Sequence, residues 1–450
     1  MAPVRALTYS EALGLLESAL TFGINPSLDG IRTLTAALAR PQEAFRSIQV
    51  TGTNGKTSVT RIISALLSAH GERTGTYTSP HLVSYTERMA IDGVPMAEDE
   101  FAAALSTVAA VVEDTIAGHA ETLGVGSDSL DIAFTEFELL TAAALWFFRE
   151  RACSWACLEV GMGGRWDATS VVSPQVAVVT GVGLDHTDRL GVTREEIAAD
   201  KAHIIKPGSI AVIGPGCTGV EQVLLDRSCA VGAPVVRVGQ TAADVTWRDV
   251  GVPDVPGGIT RLTVDGVFDS YVDLAVRAPS YQVPNVATAI AAVEVALGRV
   301  LDRDALASAL RGMCFPGRFQ VIRQKPPLIV DGAHNPEAAL VLADAVREAF
   351  GSIRPVFVLG VMGDKDAAGI VRTLAPVARG FVCTASRSDR ALPVDVLADV
   401  VRSEGAEVLG TSPGVVGAVA AAEESSFQGV VVAGSIYVAG ELLAAGIGNR

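Results

Sequence analysis

The sequence predicts an α/β fold in two parts, a parallel-sheet domain over residues 1–314 and a smaller Rossmann-like α/β domain over residues 315–450. Three observations predict it. Short β-branched runs alternate with stretches of helical apolar period. Glycine clusters directly follow several of those runs, where a parallel sheet collects its ligands. The pattern breaks near Gly312–Arg318, where Cys314-Phe315-Pro316-Gly317 interrupts it. A chain of 450 residues also exceeds what one hydrophobic core usually serves.

In chain order, residues 8–20 have helical spacing, and Ser27–Arg40 predicts a second helix after the turn Gly23-Ile24-Asn25-Pro26. Ile48–Val50 reads as a buried strand. Ser58–Ala69 then sets Val59, Ile62, Ile63, Leu66 and Leu67 on one helical face and stops at Gly71. Thr74–Thr78 is a strand, Phe137–Arg149 a helix, and Ser154–Val160 a strand ending in Gly161-Met162-Gly163-Gly164. Val176–Thr180 is again a strand, and Thr193–Ile205 a helix stopped by Pro207-Gly208. Residues 231–275, rich in Val, Asp and Gly, predict an antiparallel, loop-rich excursion before the helix Val286–Leu297. Beyond the break come strands Leu328–Val330, Val356–Leu359, Phe381–Thr384 and Val430–Ala433, with helix Pro336–Phe350 and others between.

Composition narrows the function classes. With 49% hydrophobic and 19% charged residues the chain has an ordinary globular balance. A net charge of −15 argues against a general nucleic-acid binder, which needs a basic footprint, but leaves room for an anionic small molecule in a locally basic cleft. Six scattered cysteines lack zinc-ligand spacing and are expected as reduced, mostly buried thiols. Neither a signal-peptide core nor an apolar run long enough to span a bilayer is read from the sequence, so the expectation is a cytoplasmic protein without a membrane partner.

The sharpest motif is Thr51-Gly52-Thr53-Asn54-Gly55-Lys56-Thr57-Ser58, between strand and amphipathic helix. Glycines let backbone N–H groups turn inward around a phosphate, Lys56 adds charge, and the helix N-terminus adds its dipole. Thr57 or Ser58 can offer a hydroxyl to a metal or a phosphate oxygen. The common pattern has glycine where this chain has Val50, so the loop is a variant form. A nucleotide phosphate brings Mg²⁺, which takes oxygen ligands and keeps waters. Glu159 closes a strand before a glycine cluster, and His186 lies 27 residues on, after the next strand. Their expected placement on adjacent strand ends favours a metal site over two satisfied polar groups. Ser79, in Ser79-Pro80-His81, divides evenly between a second metal's ligand and an ordinary turn. Lys201 reads by itself as a solvated helix lysine.

In the C-terminal half, Asp331-Gly332-Ala333-His334-Asn335-Pro336 gathers an acid, an imidazole and an amide at a strand end, with proline opening the helix. Arg318, beside the break, suits a cation acting on a transferring phosphoryl group, a role worth about 10³ to 10⁵ in rate where dissected. The alternative for Arg318 is an interdomain salt bridge.

Several strings occur together and in order: Gly52-Thr53-Asn54-Gly55-Lys56, Tyr77-Thr78-Ser79-Pro80-His81-Leu82, Glu159-Val160-Gly161-Met162-Gly163-Gly164-Arg165 and Asp167-Ala168-Thr169. Leu184-Asp185-His186-Thr187, Gln282 with Asn285, Pro316-Gly317-Arg318, Asp331-Gly332-Ala333-His334-Asn335 and Gly434-Ser435-Ile436-Tyr437 follow. Over about residue 20 to the C-terminus the chain resembles the folylpolyglutamate synthases, in particular the bacterial bifunctional dihydrofolate synthase/folylpolyglutamate synthases of the Mur-ligase superfamily. The resemblance implies a P-loop ATPase domain of the Mur-ligase central type, followed by a glutamate-ligase domain. It implies an ATP-dependent amide ligase acting on dihydropteroate, reduced folates and L-glutamate through an acyl phosphate. It assigns Gly52, Thr53, Asn54, Gly55, Lys56, Thr57, Ser58, Asn285, Arg318 and Asp331 to ATP, and Ser79, Glu159 and His186 to one or two Mg²⁺ ions. Lys56, Lys201, Arg318 and His334 are the expected catalytic residues, with Lys201 matching a lysine that is carbamylated in that family. His334 is a candidate base for the incoming amine. Leu28, Asp29, Gly30, Thr135, Trp166, Asp167 and Ala168 match the positions for the pteridine and benzoate end. A monovalent cation and a monomeric state complete the expectation.

Departures are few. Thr57 stands where many members have glycine, Tyr281 where many have histidine, and Trp166 where leucine is common. Two other readings compete. A cell-wall Mur-type ligase usually carries an extra N-terminal domain, and only some 45 residues precede the phosphate-loop strand here. A regulatory P-loop switch would need an Asn-Lys-x-Asp motif, which is not evident, and would leave the second α/β domain without a role.

Overall fold

The computed structural model describes residues 5–20, 23, 26–123, 133–241, 243–251, 255–425 and 428–447. Part of the predicted turn at residues 23–26, and residues 242 and 252–254 of the predicted excursion, lie outside the described residues.

The first sheet has eight strands: β1 Arg46–Thr51, β2 Thr74–Tyr77, β3 Met89–Ile91, β4 Val94–Pro95, β5 Trp155–Glu159, β6 Val176–Gly181, β7 Ile210–Gly216 and β8 Val235–Arg237. Their order is β4-β3-β2-β5-β1-β6-β7-β8. The six from β2 to β8 are parallel, and β3 and β4 extend one edge as an antiparallel hairpin. Every residue of β5 and β6 is buried, as expected of a parallel sheet covered on both faces. Helix Lys56–Ala69 packs with helix Val283–Leu297 on one face, where Ile48, Val50, Ile62, Ile63, Leu66 and Ile290 share one core. Each fully buried side chain of that size contributes ~1.5–3 kcal/mol. The other face carries helices Tyr9–Ala19, Asp29–Ala37, Glu98–Leu123 and Glu136–Glu150.

The excursion is a three-stranded antiparallel sheet of β9 Thr246–Gly251, β10 Thr260–Asp265 and β11 Ser270–Val276. Its predicted start is too early, because Val235–Arg237 pairs in parallel with β7 and belongs to the main sheet. The third sheet comprises β12 Gln320–Gln324, β13 Pro327–Val330, β14 Val356–Leu359, β15 Gly380–Cys383, β16 Val408–Thr411 and β17 Val430–Ala433. Its order is β12-β13-β17-β14-β15-β16, parallel except for β12 at the edge. The mixed α/β class, with a parallel central sheet and a separate C-terminal sheet, is as the sequence predicts.

The hairpin β3–β4, helices Glu98–Leu123, Glu221–Val231 and Arg303–Gly312, and strands β7, β12 and β16 escape the sequence reading. The first of these helices also corrects the expectation about apolar runs. Glu98–Gly118 is long and apolar enough to cross a membrane by length and composition, with mean hydropathy 1.4. Its Phe101, Ala104, Leu105 and Val108 instead pack with Leu16, Leu140 and Leu145 in the core. All six cysteines are free thiols, four of them buried.

Candidate active site

The phosphate loop begins where β1 ends. Val50, at the position of the customary glycine, is a fully buried strand residue, so the turn starts two residues later at Gly52. Gly55 has φ +84, a left-handed conformation that favours glycine, and a Cβ there would lie 2.8 Å from Asn285 Oδ1. The loop is pinned to the end of β6: Thr53 N donates to Gly181 O (2.9 Å), Gly183 N to Thr53 Oγ1 (2.9 Å) and Thr180 Oγ1 to Asn54 O (2.7 Å). Helix Lys56–Ala69 starts without a side-chain cap, which leaves its first N–H groups facing the loop. Lys56 Nζ donates to Gly52 O (2.9 Å) and Thr53 O (3.1 Å), and burial lowers its pKa.

Glu159, at the end of β5, is 1% exposed. Its carboxylate accepts from Thr57 Oγ1 (2.8 Å) and Ser79 N (3.1 Å), and desolvation raises its pKa against the pull of Lys56. His186 follows β6 with φ +51 and a side chain 46% exposed. The predicted adjacency of these two strand ends needs correction, because β1 runs between β5 and β6. Both nonetheless line one cleft of about 440 Å³ together with Ser79. Among the described residues no three His, Cys, Asp or Glu side chains converge as a metal-binding group. A buried carboxylate, a hydroxyl and an imidazole fit a hard cation that completes its shell with water and phosphate oxygens.

The same cleft collects Thr53, Asn54, Gly55, Lys56, Thr57, Ser58, Asn285, Arg318, Asp331 and His334. Asn285 Nδ2 donates to Gln282 Oε1 (2.8 Å), and Gln282 Nε2 to Ser58 Oγ (3.2 Å). Asp331 accepts from Phe319 N (2.7 Å), Ala333 N (2.8 Å) and Tyr281 Oη (3.4 Å), and burial raises its pKa while Arg318 opposes the rise. His334 Nδ1 lies 2.8 Å from Gly332 O, and burial depresses its pKa. Arg318 Nη1 donates to Gly317 O (3.0 Å) and, among the described residues, forms no ion pair, which removes the salt-bridge alternative.

Lys201 corrects its own sequence reading. The side chain is 4% exposed, donates to Gly52 O at 3.1 Å, and lines a small cavity beneath the loop with Lys56, Asp185 and His186. Burial pushes its pKa down to about 7, with Lys56 adding repulsion.

The remaining predicted residues gather away from the cleft, around the first turn of helix Glu136–Glu150. Thr135 caps that helix and exchanges hydrogen bonds with Glu138, and a Cβ on Gly30 would collide with the Glu138 carboxylate. Asp167 accepts from Met162 N (3.0 Å) and Thr169 N (3.0 Å). Leu28 and Ala168 lie in one hydrophobic cluster. Asp29 points to solvent, and Trp166 is half-exposed beneath the Arg165 guanidinium, 4.7 Å from its ring.

Sequence reasoning missed Lys365 and Glu337, the C-terminal partners that join the two halves. Lys365 Nζ donates to Asp185 Oδ1 (3.0 Å), and Asn54 Nδ2 to Glu337 Oε2 (3.4 Å). Burial pushes the Asp185 pKa up, but His186 and Lys365 outweigh it and hold it below its ordinary value. Gly363-Asp364-Lys365-Asp366, which follows β14, is the signal that could have found Lys365, since a parallel sheet collects its ligands at strand ends.

Residues 104–293 match the Mur ligase middle domain, and residues 317–436 match the Mur ligase glutamate ligase domain. The dihydrofolate synthase/folylpolyglutamate synthase of Mycobacterium tuberculosis is 38% identical over 386 residues, covering 83% of this chain and 77% of that protein. A crystal structure of M. tuberculosis folylpolyglutamate synthase complexed with ADP and AMPPCP is 34% identical with a TM-score of 0.88, covering 97% of this chain and 98% of that one. A bifunctional folylpolyglutamate synthase/dihydrofolate synthase with Mn, AMPPNP and L-glutamate bound is 28% identical with a TM-score of 0.82, covering 99% of each chain. The chain belongs to the dihydrofolate synthase/folylpolyglutamate synthase family of Mur ligases.

Proposed function

We propose that this protein is an ATP-dependent ligase that adds L-glutamate to dihydropteroate and to the terminal glutamate of reduced folates, releasing ADP and phosphate. The observation that carries this reading is the convergence of Lys56, Glu159 and Ser79 from one half with Arg318, Asp331 and His334 from the other on a single cleft. We assign residues 1–314 to ATP and pterin binding, and residues 315–450 to glutamate ligation. Gly52 to Ser58, Asn285, Arg318 and Asp331 hold ATP, while Ser79, Glu159 and His186 hold Mg²⁺, which neutralises developing phosphate charge. Lys56 and Arg318 bring cations to the triphosphate from opposite sides. Closure of the halves keeps water from the acyl phosphate. Leu28, Asp29, Gly30, Thr135, Trp166, Asp167 and Ala168 hold the pteridine and benzoate end, and carbamylated Lys201 adds a carboxylate-like group beneath the loop. His334 is the base for the incoming amine. The enzyme acts as a cytoplasmic monomer, with a monovalent cation as auxiliary.

The relatives' nucleotide, manganese and glutamate complexes support this reading. Purified protein with Mg²⁺-ATP and L-glutamate should convert dihydropteroate to dihydrofolate and lengthen a reduced folate, with glutamates counted by mass spectrometry. Turnover of a muramyl nucleotide, with no product from any pterin acceptor, overturns it.

A further inference from the structure

We propose that Lys365 is a positioning residue for the ligation reaction: by pairing with Asp185 across the cleft it latches the two halves closed and fixes the segment that carries His186. This rests on the ligase reading above and names a contact that holds the closed state together.

Lys365 Nζ donates to Asp185 Oδ1 at 3.0 Å, and the two side chains are only 15% and 14% exposed. Each end of the pair stands on anchored backbone. In the C-terminal half, the loop after β14 is tied back by Gly363 N on Arg390 O (2.8 Å), Leu392 N on Val361 O (2.9 Å) and Lys365 N on Met362 O (3.1 Å). In the other half, the segment after β6 is held by Val182 N on Gly216 O (3.0 Å) and by Gly183 N on Thr53 Oγ1 (2.9 Å). Asp185 Oδ1 also accepts from His186 N (2.9 Å), so one carboxylate oxygen carries both the link between the halves and the backbone of His186. Asp185 lines the main cleft and also the small cavity beneath the phosphate loop, beside Lys56 and Lys201. A shift of Asp185 therefore moves the walls of both.

A second contact grips the same segment two residues earlier. A Cβ on Gly183 would collide with the Glu337 carboxylate, which accepts from Asn54 Nδ2 (3.4 Å). Glu337 is exposed, whereas Lys365 and Asp185 are largely shielded from water. Attraction between charges grows as water is excluded, so the Lys365 pair is the stronger of the two contacts.

An alternative partner makes this pair a latch and not a fixed strut. Asp364 lies 3.6 Å from Lys365 Nζ and accepts from Arg390 Nη2 (3.2 Å). With the halves apart, Lys365 keeps Asp364, while Asp185 has no second lysine or arginine partner among the described residues. Closing exchanges water around two charges for a short ion pair, and Asp364 offsets part of the desolvation of the ammonium. Such a pair biases the closed arrangement while leaving it reversible.

Closure keeps water from the acyl phosphate, so a lost latch is read as uncoupling: water returns the acyl phosphate to carboxylate and phosphate, and no amide forms. With saturating Mg²⁺-ATP, L-glutamate and dihydropteroate, Lys365→Met should raise the ratio of phosphate released to glutamate ligated about tenfold, within the range of couplings between distant groups. Its far-UV circular dichroism and unfolding midpoint should stay those of the wild type. Lys365→Arg, which restores a cation, should bring the ratio back to within about threefold of wild type. Asp185→Asn should uncouple in the same way, and the double variant should be no worse than the worse single one, as for two groups acting as one. A wild-type ratio in Lys365→Met overturns the inference, and so do single effects that multiply in the double variant. Uncoupling with a lowered midpoint that Lys365→Arg fails to correct also overturns it, because Lys365 is then scaffold. Wild-type protein that ligates no pterin acceptor removes the ligase reading itself, and this inference with it.

Discussion

Stripping carbon dioxide from the buffer should slow ligation, and the surroundings of Lys201 set the expected size of the effect. Carbon dioxide adds only to an unprotonated amine, forming a C–N bond and releasing one proton to leave an anionic carbamate. A lysine of ordinary pKa, ~10.4, has roughly one neutral amine in 10³ to 10⁴ at pH 7. Lys201, buried and repelled by Lys56, has its pKa pushed down to about 7, so roughly half its amines are neutral there. The reactive population therefore rises on the order of 10³-fold. The sign for stability follows from the same shift. The unfolded chain binds more protons than the folded one between about pH 7 and 10.4, so without carbon dioxide stability rises with pH across that window. The slope reaches at most ~1.4 kcal/mol per pH unit, and Lys201→Met should flatten it. The assay compares kcat in CO₂-depleted and bicarbonate-supplemented buffer, and looks for a carbamate carbon by ¹³C NMR with labelled bicarbonate. Lys201→Ala should lose activity and regain part of it with short carboxylic acids. Equal rates in both buffers, with no carbamate signal, would refute the reasoning.

Two further outcomes test the loop. Lys56→Ala should lower kcat by about 10² or more while far-UV circular dichroism stays native, since among the described residues Nζ donates to the loop carbonyls of Gly52 and Thr53. Full activity in that variant would place the triphosphate elsewhere. Gly55→Ala should cost ~1–2 kcal/mol in urea unfolding, because φ is +84, and should weaken nucleotide binding through the approach to Asn285. An unchanged midpoint and nucleotide affinity would mean that the loop relaxes without cost.

What was legible in the sequence follows from how local each signal is. Strand β1, the glycine turn and helix Lys56–Ala69 lie within one short segment, so period and turn residues suffice. Helix Glu98–Leu123 escaped because alanines and valines surround it on several sides and blur its polar face. Strand β16 escaped because it is short and only partly buried. For the site, Lys201 was illegible by itself: it ends an otherwise polar helix, and only the fold reveals that this end tucks under Gly52. Glu159 and His186 were found, but their spacing along the chain could not tell that β1 inserts between their strands. The Asp185–Lys365 and Asn54–Glu337 pairs span 180 and 283 residues, separations that no local pattern encodes.

The proposed pterin residues lie outside the cleft, and Gly161 stands between the two places. Gly161 lines the cleft with Ser79 and Glu159. On its other side, a Cβ would lie 2.8 Å from Phe137 Cζ and 3.3 Å from Asp167 Oδ2. Phe137 follows Thr135 by two residues, so this one glycine separates the cluster around Thr135 and Asp167 from the metal-side carboxylate. On the ligase reading, a pteridine held by that cluster would lie across the Gly161 backbone from Ser79 and Glu159.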